Sequence, residues 1–124
     1  MAKTVFIVED DYDIAEVLKF NLVNKGYNVV WEENGEEAYE KIIKSVPDLL
    51  ILDLALPGIS GIEICRYLKN NPITKKMPII ILTAKIKKED REAGINAGAD
   101  DFITKPFTLK DVLKRVEKLI KISV

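Results

Sequence analysis

Short, unbroken runs of apolar residues recur along the chain, and several of them end abruptly at a polar side chain. The clearest run is 49–52 (Leu-Leu-Ile-Leu), which is followed directly by Asp53 and then by a Pro57-Gly58 turn. An apolar run this short, without polar alternation, is typical of a strand buried on both faces in a parallel sheet. The sequence therefore favours folds in which helices cover both sides of such a sheet.

Similar runs stand at 5–8 and 78–82, and shorter ones at 28–31 and 102–104. Four segments between and after these runs repeat apolar residues at helical spacing: Ile14, Val17, Leu18 and Leu22; Ala38, Ile42 and Ile43; Ile62, Cys65 and Leu68; and Leu109, Val112, Leu113, Val116, Leu119 and Ile120. A further helix, polar and weakly amphipathic, is expected at about 87–97. Strands and helices alternate five times, which predicts an α/β fold with a parallel sheet, right-handed crossovers and helices on both faces.

The composition fits one soluble domain. Its 124 residues are enough to bury a core without disulfides, and 48% apolar with 31% charged residues is ordinary for a globular protein. A net charge of -1 gives no global attraction for nucleic acid or for an anionic membrane. The sequence has neither a signal peptide nor a membrane-spanning run, so a cytoplasmic location is expected.

Two residue counts remove whole classes of chemistry. The chain has no histidine, which excludes Ser/His and Cys/His catalysis and histidine metal ligands. Its one cysteine, Cys65, has no partner for an internal disulfide. The place of Cys65 in an apolar helical stretch predicts a small, buried packing residue.

Polar residues follow four of the predicted strands: Glu9, Asp10, Asp53, Thr83 and Lys105. Taken alone, each has a plain explanation, and Asp53 would serve as an ordinary turn residue or helix cap. The carboxyl ends of parallel strands, however, meet at one edge of the sheet, where ligands bind in folds of this kind. We therefore expect these side chains to converge.

Three carboxylates held together repel one another, so either one of them has a raised pKa or a cation lies between them. Mg2+ suits the set because it takes oxygen ligands and leaves room for a phosphate. Lys105 adds a positive charge for Asp53 or for a phosphoryl group, and Thr83 adds a hydroxyl donor. Together these groups supply a carboxylate nucleophile for phosphoryl transfer. No residue here is suited to activate water, so an aspartyl phosphate is expected to persist.

The same residues carry a family resemblance. Four motifs stand in order and at the right separations: Glu9-Asp10 after the first strand, Asp53 after the third, Thr83-Ala84 after the fourth, and Lys105-Pro106 after the fifth. Over residues 3 to about 119, the chain resembles the receiver domains of bacterial two-component response regulators. The resemblance implies a single receiver domain over 1–124, with a flavodoxin-like (CheY-like) doubly wound sheet of five strands in the order 2-1-3-4-5 and five helices.

The resemblance also implies a chemical role for each strand end. A sensor histidine kinase would phosphorylate Asp53. Mg2+ would be held by Glu9, Asp10 and Asp53, together with the backbone carbonyl of Ala55. Lys105 would bind the phosphoryl group or the free carboxylate, and its peptide bond to the following proline is expected to be cis.

A switch is implied by the same comparison. The Thr83 hydroxyl would move toward the phosphoryl oxygen, and the ring of Phe102 would swing inward to fill the space. Position 102 is Phe where Tyr is common in the family, so a hydrogen bond from a ring hydroxyl is absent. Simple core packing of Phe102 is compatible with this role.

A finer resemblance concerns the last two helices and the last strand. There the chain looks like receivers of the winged-helix (OmpR/PhoB-type) subfamily, which pair through a charged set that corresponds here to Arg91, Asp100, Asp101, Asp111 and Arg115. The alternative is that these are solvated surface charges of little individual weight. If they pair, phosphorylation would stabilise a symmetric homodimer and act on a downstream effector domain or protein.

Other functions stay open at this point. A small phosphatase with an aspartyl intermediate needs a second acid two positions after the nucleophile, where this chain has Ala55. A nucleotide or flavin binder needs a Gly-rich loop after the first strand, where this chain has acids that would repel phosphate. A non-phosphorylated interaction module would not need the site residues. We expect a regulator, not an enzyme, that promotes only its own phosphorylation and dephosphorylation.

Overall fold

A computed structural model of the chain describes residues 2–84 and 87–122. Its elements, in chain order, are β1 Thr4–Val8, α1 Tyr12–Asn24, β2 Asn28–Glu32, α2 Gly35–Ser45, β3 Leu49–Leu52, α3 Gly61–Asn70, β4 Ile79–Thr83, α4 Lys88–Asn96, β5 Asp101–Thr104 and α5 Leu109–Ile122. Within these residues, five parallel strands pair in the order β2-β1-β3-β4-β5. This is the flavodoxin-like order, so the predicted fold class is confirmed.

Successive residues of the inner strands pack on opposite faces of the sheet. In β1, Val5 and Ile7 join the core beneath α1 and α5, whereas Phe6 and Val8 join the core beneath α2 and α3. Residues 49–52 of β3 divide in the same way and are all buried. The prediction of strands buried on both faces is therefore confirmed for the inner strands β1, β3 and β4.

The apolar stripe assigned to α1 is wrong at one position. Ala15, Leu18 and Leu22 face the sheet and are buried, but Val17 is 44% exposed. Ala15, Leu18 and Leu22 lie within about 60° of one another around the helix axis, whereas Val17 lies about 100° from Leu18 on the side away from Ala15 and Leu22. Cys65 lies buried in α3 as predicted, and burial raises the pKa of its thiol to about 11.

The helix expected at about 87–97 is present as α4 and is weakly anchored. Its N-cap residue, Lys87, makes no side-chain capping bond, and Gly94 is the only buried residue of the helix. A Cβ at Gly94 would lie 2.8 Å from Cδ1 of Ile81, so the glycine lets α4 approach β4 closely.

Candidate functional site

Four strands bring polar residues to one edge of the sheet. The Asp53 N–H donates to the last carbonyl of β1 over 3.1 Å, which places the end of β3 beside that of β1. The Lys105 N–H donates to the carbonyl of Thr83 over 2.9 Å, linking the ends of β5 and β4. Glu9, Asp53 and Thr83 are buried there, and Asp10 is exposed. The convergence expected from the sequence is present.

Lys105 joins two of the acids. Its Nζ lies 3.0 Å from Oδ2 of Asp53, the pairing that the sequence predicts, and 2.7 Å from Oε1 of Glu9. The second contact has no counterpart in the sequence analysis. Burial opposes the charge on Lys105, but its bonds to the two carboxylates outweigh burial and raise the pKa of its ammonium group.

The Asp53 carboxylate is held in its charged form. Burial favours protonation, but three hydrogen-bond donors outweigh it: the N–H of Ala55 at 3.0 Å from Oδ1, Lys105, and the Thr83 hydroxyl. The pKa of Asp53 is therefore lowered. A buried aspartate that stays ionised, with donors on both oxygens, has the charge and the fixed orientation that a carboxylate nucleophile needs.

The pKa of Glu9 is shifted in the opposite direction. Burial raises its pKa to about 7, helped by the negative charge of Asp53 and opposed by the bond to Lys105 and by the Asp11 N–H at 3.2 Å from Oε2. The sequence analysis predicted a raised pKa for one of the three acids in the absence of a cation. The direction found at Glu9 agrees with that prediction.

The three acids lie close enough to share an ion. Glu9, Asp10 and Asp53 each offer a carboxylate oxygen, and these oxygens lie within 4.8 Å of one another. All are hard oxygen donors, and two belong to buried residues while the third belongs to an exposed one. The donor set therefore fits Mg2+, which binds through one or two carboxylates and keeps part of its water.

The raised pKa of Glu9 predicts that the metal-free protein loses stability as pH rises. Its folded-state pKa of about 7 exceeds the ordinary value of 4.5, so folding takes up a proton between these limits. The stabilisation is complete below the lower limit and is lost above the upper one, at up to about 1.4 kcal/mol for each pH unit. The lowered pKa of Asp53 affects the unfolding free energy only at more acidic pH, below the ordinary pKa of an aspartate. Urea denaturation with EDTA, from about pH 5 to about pH 8, measures the slope.

A matched pair of variants isolates this effect. Glu9→Gln removes the titrating group and is expected to flatten the dependence of the unfolding free energy on pH. Glu63→Gln changes an exposed glutamate and is expected to keep the dependence. An unchanged slope in Glu9→Gln would contradict the assignment.

Thr83 of the expected switch lies at the edge that carries the site, and Phe102 lies two residues before that edge in β5, paired with Ile81. The Thr83 hydroxyl bonds to Asp53, and Phe102 packs in a small cluster with Leu54 and Ile81. The Arg91 guanidinium carbon lies 5.5 Å from the centroid of the Phe102 ring, within the range of a cation–π contact. Their roles as a switch stay predictions.

The charged set at the expected dimer face is only partly brought together. Arg115 donates to Asp101 over 2.7 Å and to Asp111 over 3.1 Å, within the same chain. Asp100 instead accepts hydrogen bonds at the opposite end of β5, from the Ile79 N–H and from Lys69 Nζ, both over 2.8 Å. Pairing between two chains through this set also stays a prediction.

One residue that shapes the site was missed. A Cβ on Gly61 would lie 2.5 Å from the carbonyl oxygen of Asp53 and 2.7 Å from Cα of Leu54. The first turn of α3 can therefore rest on the main chain of the site only if position 61 has no side chain. The sequence contained a signal for this role: Gly61 directly follows the helix cap Ser60, and a poor helix former in the first turn of a helix indicates a close approach of the main chain.

The Lys105–Pro106 peptide bond is cis, as the resemblance implies. A family model described as the response regulator receiver domain matches residues 5–117. The chain belongs to the response regulator receiver domain family. Receiver domains are phosphoacceptor signalling modules of two-component systems, so the resemblance and the class of function predicted from the sequence are confirmed.

A known relative supports the assignment of the chain to this family. This receiver domain is 40% identical over 121 residues to the phosphate regulon transcriptional regulatory protein PhoB of Rhizobium meliloti, a match that covers 98% of this chain and 53% of that protein. The chain thus spans about half the length of this curated relative. The described part of the chain contains no helix that is long and apolar enough to span a membrane.

Solved structures of receiver domains share the fold of this chain. The signal receiver domain of a signal transduction histidine kinase from Syntrophus aciditrophicus is 37% identical, with a TM-score of 0.90 over 97% of this chain and 91% of that chain. The receiver domain of a sensor histidine kinase from Pseudomonas aeruginosa is 26% identical, with a TM-score of 0.89 over 98% of this chain and 99% of that chain. That structure has a magnesium ion coordinated in its active-site cleft.

Proposed function

We propose that Asp53 is the phosphoacceptor of this receiver domain and that a sensor histidine kinase supplies the phosphoryl group. The observation that carries the proposal is the buried, ionised Asp53 carboxylate, with Lys105 3.0 Å from Oδ2 and with Thr83 beside it. The proposal treats residues 1–124 as one receiver domain that promotes only its own phosphorylation and dephosphorylation.

The transfer uses one oxygen of Asp53 as the nucleophile. This oxygen attacks the phosphorus of a phosphohistidine, so that an O–P bond forms while the N–P bond breaks. The imidazole nitrogen leaves with the electron pair of that bond and takes up a proton from water. Lys105 and the Thr83 hydroxyl already bond to the Asp53 carboxylate and are placed to neutralise charge on the transferred group.

Glu9, Asp10 and Asp53 would hold Mg2+, and the resemblance adds the carbonyl oxygen of Ala55. When bound, the ion neutralises charge on the phosphoryl oxygens. In the described structure Lys105 contacts Glu9 and Asp53, so its positive charge already offsets part of the repulsion between these acids.

The residues around Asp53 favour a stored phosphoryl group over rapid turnover. The position two residues on, where the phosphatase hypothesis requires an acid to activate water, is Ala55, and its N–H bonds to Asp53. We therefore favour a phosphoacceptor over a phosphatase.

Incubation with acetyl phosphate and Mg2+ tests the proposed function. We expect the intact chain to gain the mass of one phosphoryl group, and we expect EDTA to prevent the gain. Hydroxylamine, which cleaves acyl phosphates, should release the group. Absence of the gain, or a gain that resists hydroxylamine, would overturn the proposal.

For the output, we propose that phosphorylation alters the surface of α4, β5 and α5 and favours a symmetric homodimer. Support comes from the position of Arg91 over the Phe102 ring and from the charged cluster of Arg115 with Asp101 and Asp111 on that face. A downstream effector is proposed because the PhoB relative is a transcriptional regulatory protein about twice as long as this chain.

A further inference from the structure

The main chain of Glu9 leaves the regular hydrogen-bond ladder between β1 and β2. The ladder begins with the Asn28 N–H, which donates to the Lys3 carbonyl over 2.8 Å. At its other end, the Glu9 N–H still donates to the carbonyl of Glu32 over 3.2 Å. Continuing the parallel pattern would pair the Glu9 carbonyl with the Asn34 N–H. That N–H instead donates to the Glu32 side chain over 3.3 Å.

The indole of Trp31 takes the place of the lost ladder donor. Its Nε1–H donates to the Glu9 carbonyl over 2.8 Å. The ring of Tyr12, the first residue of α1, packs edge-on against the indole, with centroids 4.7 Å apart and planes at 89°. Trp31 therefore contacts both ends of segment 9–12, which carries Asp10 between them.

We propose that Trp31 is a positioning residue for the divalent cation site. Its indole N–H fixes the Glu9 main chain, and thereby holds the acid pair Glu9 and Asp10 toward Asp53. The inference rests on the metal site proposed above. Without the indole donor, the carbonyl of the buried Glu9 loses its hydrogen-bond partner, and segment 9–12 gains freedom that ion binding must remove again.

A tryptophan isostere without the donor tests the inference. Because Trp31 is the only tryptophan, a chain made in a tryptophan auxotroph with β-(3-benzothienyl)alanine changes this position alone. The isostere keeps the ring shape and replaces N–H by sulfur. Calorimetric titration with Mg2+ is expected to give a Kd about tenfold higher than that of the wild type. An unchanged Kd would overturn the inference.

Two further variants frame that comparison. Tyr12→Phe keeps both the edge contact and the indole N–H, and we expect it to bind Mg2+ with the wild-type Kd. Trp31→Phe also lacks the indole donor. If circular dichroism shows that the benzothienylalanine chain does not fold, Trp31→Phe takes its place in the Mg2+ titration, with the same expected rise in Kd.

Phosphorylation kinetics separate positioning from general damage. The isostere chain is expected to need about tenfold more Mg2+ for half its maximal rate with acetyl phosphate, yet to reach the wild-type rate at saturating Mg2+. A merely structural role would lower the maximal rate as well. A maximal rate that stays low at saturating Mg2+ would therefore overturn the inference.

The wild-type chain gives a test without substitution. If the indole bond strengthens ion binding, the ion must strengthen the indole bond by the same factor. The single indole N–H resonance should then exchange with solvent about tenfold more slowly in saturating Mg2+. Equal exchange rates would overturn the role of Trp31 alone, whereas a wild-type chain that binds no Mg2+ would overturn the metal site as well.

Discussion

The Asp53→Asn variant is expected to lose all phosphorylation by acetyl phosphate in the presence of Mg2+. A neutral amide is a much weaker nucleophile than the carboxylate that Lys105, Thr83 and the Ala55 N–H keep ionised in the wild type. Asparagine also removes one charge from the set that would hold the ion. Intact-protein mass spectrometry should show no gain in mass for this variant under conditions that convert the wild type.

The fold is expected to survive this change. Asparagine has nearly the shape of aspartate and keeps an oxygen that can accept the Ala55 N–H. Asparagine relieves the repulsion between Asp53 and Glu9 but also weakens the bond to Lys105, so we expect a modest loss of unfolding free energy that leaves the protein folded. The matched control is Asp13→Asn, an exposed position that should label like the wild type. Full labelling of Asp53→Asn would place the phosphoryl group elsewhere.

The Gly61→Ala variant is expected to be destabilised by about 3 kcal/mol and to be phosphorylated more slowly. The new methyl group would meet the carbonyl oxygen of Asp53 at 2.5 Å and Cα of Leu54 at 2.7 Å. Both are main-chain atoms, so no side chain can rotate to make room. Either α3 or the strand end that carries Asp53 must move. Urea denaturation measures the first effect, and the rate of acetyl phosphate labelling measures the second.

The control for this variant is Gly26→Ala. Gly26 has a φ of 96° and no atom within 4 Å of an added Cβ, so alanine there meets backbone strain but no neighbour. That strain costs about 1 kcal/mol and lies far from the site. Labelling of Gly26→Ala should match the wild type. If Gly61→Ala labels at the same rate as Gly26→Ala, the close approach of α3 does not position Asp53.

The candidate site was predictable because its residues mark the ends of apolar runs. The run 49–52 indicates by its composition where a buried strand stops, and Asp53 is the next residue. Parallel topology then brings such ends to one edge whatever the details of packing. The same logic placed Thr83 and Lys105, so the convergence followed from order along the chain alone.

The pairing between Lys105 and Glu9 was not predictable in this way. A lysine has a long, flexible side chain, and three acids were within its expected reach. Its choice of both Glu9 and Asp53 depends on strand register and on the exclusion of water around two buried carboxylates. Asp100 shows the same limit, since its partners Lys69 and the Ile79 N–H come from other elements.

Local pattern by itself determined the number and order of the elements, the α/β class, and the strand ends that carry the site, whereas the strand order 2-1-3-4-5 was implied by the family resemblance. These features follow from the spacing of apolar residues within each short segment, because that spacing indicates which side chains are buried. Only the tertiary structure decided that Val17 faces solvent, that Gly61 must lack a side chain, and that Trp31 supplies a donor to Glu9. Each of these depends on the distance between atoms of different elements, which no single segment of the chain specifies.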